Sequence, residues 1–149
     1  MKKLAALLLS LSLALTMMGC TTTSSDGKKE EDQKQEITET ITLHFTIIDA
    51  SNEEEKILFD EDVTVSAGCE TLADVLTNVP ELELTSQSGA YGLTILGLMG
   101  VEGDWNRGPW WLYSSENNAS CVEAGYCDAA DSLKVADGDS FTFILTSEF

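Results

Sequence analysis

The sequence predicts an α+β domain: a β-grasp-like mixed sheet with one main helix, in the order strand, strand, helix, strands. Three observations carry this reading. Apolar and polar residues alternate from Ile41 to Ile47. Leu72, Val75, Leu76 and Val79 fall at i, i+3, i+4 and i+7. Short apolar runs then follow to the C-terminus, separated by Gly-Pro and Asp-Gly-Asp breaks. A two-residue period places alternate side chains on opposite faces of a strand, whereas the longer spacing marks one face of a helix. A helix covering one face of a mixed sheet gives the class.

The elements follow in order. In the first strand, Ile41, Leu43, Phe45 and Ile47 face one way and Thr42, His44 and Thr46 the other. Asp49 to Asn52 supplies turn residues, and Ile57 to Val65 is a less regular strand, expected to be the hairpin partner. Gly68 breaks the pattern before the helix at residues 71–79, and Pro80 marks its end. Tyr91 to Met99 reads as a strand, or a strand plus turn, punctuated by glycine. Trp110 to Tyr113 is a short strand after Gly108-Pro109. Phe141 to Leu145 is the last strand, entered through the turn Asp137-Gly138-Asp139.

The chain before this domain has a different composition. Lys2 and Lys3 precede an apolar run from Leu4 to Met18, which is short for a membrane span and has the charge layout of a secretory signal. It closes on Met17-Met18-Gly19-Cys20. That ending resembles the lipobox of bacterial lipoproteins, with Met17 where the family usually has leucine. The resemblance implies removal of residues 1–19, acylation of Cys20 and anchoring to the membrane from the extracytoplasmic side. Thr21 to Glu36 contains no apolar residue. Residues 20–36 therefore read as an acylated cysteine plus a flexible polar tether, and residues 37–149 as the folded domain.

Charge excludes one class of partner. The formal charge is −18, and removing residues 1–19 takes away two of eight basic residues and none of the 26 acidic ones, giving −20. Such a surface repels phosphate backbones, so nucleic acid is not an expected partner. Asp137-Gly138-Asp139 lacks the regularly spaced acids of a calcium loop and fits a turn. No metal site is expected.

With Cys20 assigned to the anchor, Cys69, Cys121 and Cys127 remain. Cys121 and Cys127 flank a short polar loop with Gly125 in it, and a disulfide between them is the expected pairing in an oxidising compartment. Closing so short a loop contributes about 2 kcal/mol in the loop-entropy view. The competing readings are free thiols and a zinc site. The second has the wrong spacing, and the one histidine, His44, is distant in sequence. Cys69, just before the helix, reads as a small semi-buried thiol, with a reactive role at the helix N-terminus as the alternative.

The sequence offers no active-site pattern. There is no Gly-x-Ser-x-Gly elbow, phosphate-cradling glycine loop or His-Glu-x-x-His. A triad would have to use His44, which lies on the polar face of its strand and reads as solvent-facing. Asn118-Ala119-Ser120 matches a glycosylation acceptor but reads as ordinary loop chemistry. The chain is not expected to be an enzyme.

Several segments together resemble a known family. They are Ser66 to Leu76, with the pattern G-x-x-T-L-x-D-x-L; Tyr91-Gly92 with the apolar run to Gly100; Pro109 to Tyr113; and Val135 to Phe141. In this order they resemble the domain of unknown function 4430, the transcobalamin-like C-terminal domain, over residues 41–147. The resemblance implies a bacterial surface protein or lipoprotein. It also implies relatives in animal cobalamin carriers, where the domain closes over one face of a corrinoid while a larger helical domain supplies most of the pocket. This chain carries no such helical domain. It also departs from the family between Ser114 and Leu133, where a longer loop with two cysteines replaces a short hairpin.

Two functions follow. One is a lipid-anchored, non-catalytic interaction module docking a surface protein or an envelope component. The other is a ligand-capture lipoprotein binding a corrinoid, cobalamin-like, or another flat apolar nutrient. No cofactor is expected beyond such a ligand. The expected binding residues come from Asp104 to Tyr113, which holds all three tryptophans. Strand alternation separates Trp110 and Leu112 from Trp111 and Tyr113. The helix can cover one face, so one aromatic pair is structural; a second layer, the disulfide loop, is the alternative cover for the other face. The other pair is taken as Trp111 and Tyr113, which with the loop residues Trp105 and Arg107 form the expected ligand or partner contacts. A salt bridge to a nearby acid is the alternative role for Arg107.

Overall fold

Alternation makes the first two strands, and burial follows it. The computed structural model describes residues 39–148. The signal at 1–19, the lipidation site Cys20 and the tether to residue 36 lie outside the described residues. Strand β1 (Thr40–Ala50) pairs antiparallel with β2 (Lys56–Ser66), with Leu43 opposite Val63 and Phe45 opposite Glu61. Leu43, Phe45 and Ile47 are fully buried. Between them, Thr42, His44 and Thr46 meet Thr64, Asp62 and Asp60 on the outer face.

The helix is α1 (Leu72–Asn78), and all four residues of the predicted stripe are buried. Thr71 is its N-cap. The Thr71 hydroxyl accepts from the Asp74 amide at 3.1 Å, and the Asp74 carboxylate accepts from the Thr71 amide at 3.0 Å. This reciprocal cap satisfies two amides that helix geometry leaves without partners. It also holds the Asp74 carboxyl below its ordinary range, chiefly through the bonds to Thr71. The next two amides, of Leu72 and Ala73, donate to the carbonyls of Leu133 and Ala130. The helix start is thereby fixed to the segment that follows the cysteine loop. A 3₁₀ turn over Pro80–Leu82 ends the element.

The expected α+β class holds, with its strands divided between two sheets. Strands β3 (Thr85–Gly89), β4 (Gly92–Leu98) and β5 (Val101–Glu102) form an antiparallel three-stranded sheet in chain order. Strands β6 (Trp110–Ser114) and β7 (Ser140–Thr146) join the first sheet, whose order is β2-β1-β7-β6. Strand β7 runs parallel to β1 and antiparallel to β6. The predicted strand and turn at 91–99 are β4 and the reversal at Met99 and Gly100, both with positive φ.

One core joins these parts. Phe45, Phe141 and Phe143 are buried together; Phe45 meets the other two edge-on, its centroid 5.2 Å from that of Phe143, and Phe141 and Phe143 are tilted to each other. Leu72, Val75 and Leu76 of α1, Leu98 of β4 and Trp111 of β6 belong to the same cluster. Each such side chain stabilises the fold by about 1.5–3 kcal/mol through removal of apolar surface from water.

A second helix, α2 (Ala119–Ala124), lies inside the segment read as a polar loop. Asn118 is its N-cap and accepts from the Cys121 amide at 3.2 Å. Its side-chain amide donates to the Asp139 carboxylate at 2.6 Å and to the Lys134 carbonyl at 2.9 Å. Asn118 is buried, so the residue read as ordinary loop chemistry takes a capping role. Among the described residues no helix is long and apolar enough to cross a membrane.

Candidate functional site

The aromatic segment leads to a cleft of about 890 Å³. Four pieces of chain build its walls. They are the β3–β4 hairpin from Gln87 to Leu96, Trp105, strand β6 from Trp111 with the following Ser115, and α2 with its following turn from Cys121 to Ala129. Glycine closes one corner. Gly92 has φ 97°, and a Cβ there would stand 2.5 Å from the Asp131 carboxylate and 2.7 Å from Ala129. Only a residue without a side chain lets the hairpin approach that segment so closely.

Trp105 is set by a hydrogen-bonded turn. The Asp104 carboxylate accepts from the amides of Asn106 and Arg107, and the Asp104 amide donates to the Pro109 carbonyl. The Trp110 indole donates to the Trp105 carbonyl at 3.1 Å. Gly103 keeps this turn against β6, since a Cβ there would meet the Pro109 carbonyl at 2.7 Å. The ring of Trp105 is left exposed at the cleft.

Cys121 and Cys127 form the expected disulfide, and both line the cleft. The bond is of the kind that persists outside the reducing cytoplasm and fits an extracytoplasmic location. It holds the turn carrying Tyr126 against α2. Cys69 is buried and free. Burial pushes its thiol up, and the nearby Asp74 carboxylate pushes it further, opposite to the activated thiol weighed for a helix N-terminus.

Strand alternation separates the pairs as expected, but the pair assigned to binding faces the core. Trp111 is buried, and Tyr113 packs on Phe143 at 5.8 Å. Trp110 and Leu112 take the outer face and are half-buried. Trp111 and Tyr113 still reach the cleft because β6 is the edge strand of its sheet. Beyond it the inner face is closed by the second sheet and the cysteine loop. The Trp111 indole donates to the Val101 carbonyl at 3.1 Å, and the Tyr113 hydroxyl donates to the Asp128 carbonyl at 2.7 Å. Burial, with Asp131 and Asp128 nearby, pushes the Tyr113 phenol up to about 12. The polar ends of these two rings are thus satisfied by backbone carbonyls, which leaves their apolar surface to the cleft.

Arg107 is exposed and lies outside the cleft lining. Its alternative role is not taken up either: among the described residues its guanidinium forms no ion pair. The arginine follows the turn outward while Trp105 points in.

The sequence reading missed Tyr91, Val122 and Tyr126. Among the described residues five large hydrophobic side chains are exposed, and these three with Trp105 are four of them. All four line this cleft. Tyr91 is 97% exposed, at the tip of the β3–β4 hairpin. An apolar residue kept in water is the signal that could have found Tyr126, a lone ring in a polar loop. None of the lining residues is Asp, Glu, Lys, Arg or His. Its titratable side chains are the three tyrosines. Among the described residues no cluster of metal-ligating side chains occurs.

No family model matches the chain, and no curated protein does. Solved structures do. Haptocorrin in complex with Cbi matches at 17% identity and a TM-score of 0.50. The match covers 72% of this chain and 25% of that one, so the chain spans about a quarter of haptocorrin's length. A protein from Ruminococcus gnavus ATCC 29149, provisionally assigned as metal binding, matches at 22% identity and a TM-score of 0.49. That match covers 71% of this chain and 98% of the other. The likeness shows that this chain shares the fold of the matched part of haptocorrin. The expected family is supported at that level alone.

Proposed function

We propose that this chain is a non-catalytic binding protein that captures a flat, partly apolar small molecule in the aromatic cleft. One observation carries the reading: among the described residues, four of the five exposed large hydrophobic side chains converge on one cleft lined by no charged residue, in a chain of formal charge −18. Apolar surface held in water at one concave place marks binding, and about 300–1,000 Å³ is the range of small-molecule sites. A corrinoid is the first candidate. The fold shared with haptocorrin favours it, and the open cleft would hold one face of such a ring. Anchoring through an acylated Cys20, outside the cytoplasm, belongs to the same proposal.

Cobalamin is the probe. Titrated into the full chain, it should quench tryptophan fluorescence saturably, with Trp105 the exposed reporter. Tyr126→Ala should weaken the interaction by about thirtyfold, the effect of truncating an aromatic anchor worth about 2 kcal/mol. A flat titration would remove the corrinoid form of the proposal.

A second reading, docking of a protein or envelope partner, is favoured by Tyr91. Its ring stands almost wholly in water at a hairpin tip. Such a side chain suits insertion into a partner's pocket. Under this reading Tyr91→Ala abolishes partner binding while cobalamin has no effect.

A further inference from the structure

The cleft lining is neutral, but its rim is not. Among the described residues the basic side chains are Lys56, Arg107 and Lys134, apart from His44. None lines the cleft. Lys134 pairs with Glu70 at 2.9 Å, and His44 lies between Asp60 and Asp62. Two acidic residues adjoin the cleft lining. Asp131 lies against Gly92, which lines the cleft, near enough that a Cβ there would collide with it. Asp128 follows the lining residue Cys127, and its carbonyl holds the Tyr113 hydroxyl. Both side chains are exposed and have no hydrogen-bond or ion-pair partner among the described residues.

We propose that the cleft selects a planar organic cation, with its rings against the aromatic walls and its charge toward Asp131 and Asp128. This rests on the reading of the cleft as a small-molecule site and adds the charge of the ligand. Three features support it. The faces of Tyr91, Trp105 and Tyr126 carry negative electrostatic potential and attract cations. The two carboxylates have no competing cation. No lining residue offers positive charge to an anionic ligand. Burial is the main cause that raises the Tyr113 phenol, and Asp131 and Asp128 add to it. Bulk charge alone would not suffice, since at physiological salt it is screened beyond about 8 Å. Selection must come from carboxylates at the rim.

Three flat tricyclic probes test this on the full chain by isothermal titration near neutral pH. They are 9-aminoacridine, a cation; phenazine, neutral; and phenazine-1-carboxylate, an anion. The cation should bind more tightly than the anion by about tenfold or more, since exposed charge pairs contribute about threefold to fivefold each and repulsion reverses the sign. Raising salt to about 1 M, where screening acts within about 3 Å, should close the gap. Asp131→Asn changes an exposed, unpartnered side chain and should narrow the gap by about threefold to fivefold. Tyr126→Ala should weaken all three probes.

The outcomes separate. If all three bind equally and Tyr126→Ala weakens them, charge selection is wrong and the small-molecule site stands. If the cation binds but neither Tyr126→Ala nor Trp105→Ala affects it, it has bound the acidic surface and the inference falls. A gap that Asp131→Asn leaves unchanged removes that residue's role. Binding of none of the three defeats the inference and the small-molecule reading together.

Discussion

His44 shows how one residue links sequence pattern to pH. Alternation puts it on the outer face of β1, where the hairpin register brings Asp60 and Asp62 to its ring at 3.1 and 2.9 Å. The hydrogen bond to Asp62 is the main reason its pKa is raised above the ordinary 6.5. A histidine with a raised folded pKa adds stability that is complete below its unfolded pKa and is lost as pH rises through the folded one. Between about pH 5 and 8 histidine is the side chain expected to change charge, and this chain has one. Urea midpoints should therefore fall as pH rises above 6.5, and Asp62→Asn should flatten the trend. An NMR titration of the His44 ring with a midpoint at or below 6.5 would contradict the pairing. At this scale the sequence showed His44 as surface but not its partners, because opposite strands meet only through register. Trp105 was legible as a loop ring. Trp111 and Tyr113 were legible as a pair sharing a face. Which face was core was not, since that depends on the position of β6 at its sheet's edge.

Elements were legible where a period runs through them. Helix α1 carries buried residues at helical spacing, β7 alternates throughout and β1 alternates over its middle. Strand β3 reads Thr-Ser-Gln-Ser-Gly and is exposed along its whole length, so no alternation marks it. Strand β5 has two residues. Helix α2 buries Cys121 alone in six residues, too little for a stripe. Its stability comes instead from the Asn118 cap and the disulfide. Replacing Asn118 by Ala removes bonds to Asp139, Lys134 and Cys121 and should cost about 1–3 kcal/mol in chemical denaturation. Val122→Ala, on the exposed side of the same helix, should stay within about 0.5 kcal/mol. Equal losses from the two would mean that Asn118 is not the anchor of α2.

Over the whole molecule, composition described the surface better than the site. The acidic balance was visible at once, and so was the concentration of tryptophan in ten residues. The cleft was not, because Tyr91, Trp105 and Tyr126 come together only when β4, β6 and α2 are packed. The proposed anchor belongs to this scale too. Wild-type chain should partition with membranes of a bacterial host, and Cys20→Ala should move it to the soluble fraction. Membrane association that survives Cys20→Ala would end the lipid-anchor proposal while leaving the cleft untouched.

The centre of the four-stranded sheet is made by β1 and β7, which run side by side although nearly the whole described chain separates them. The ribosome delivers β1 early and β7 late. Until β7 arrives, the Phe45 ring has no Phe141 or Phe143 to meet. The hairpin of β1 and β2 can form locally, yet its apolar face stays open. Folding is therefore tied to the synthesis of β7, and contacts so distant in sequence slow it. A nascent chain stopped short of residue 140 keeps its inner surface in water. It remains pliable enough for an export channel and attractive to chaperones and proteases.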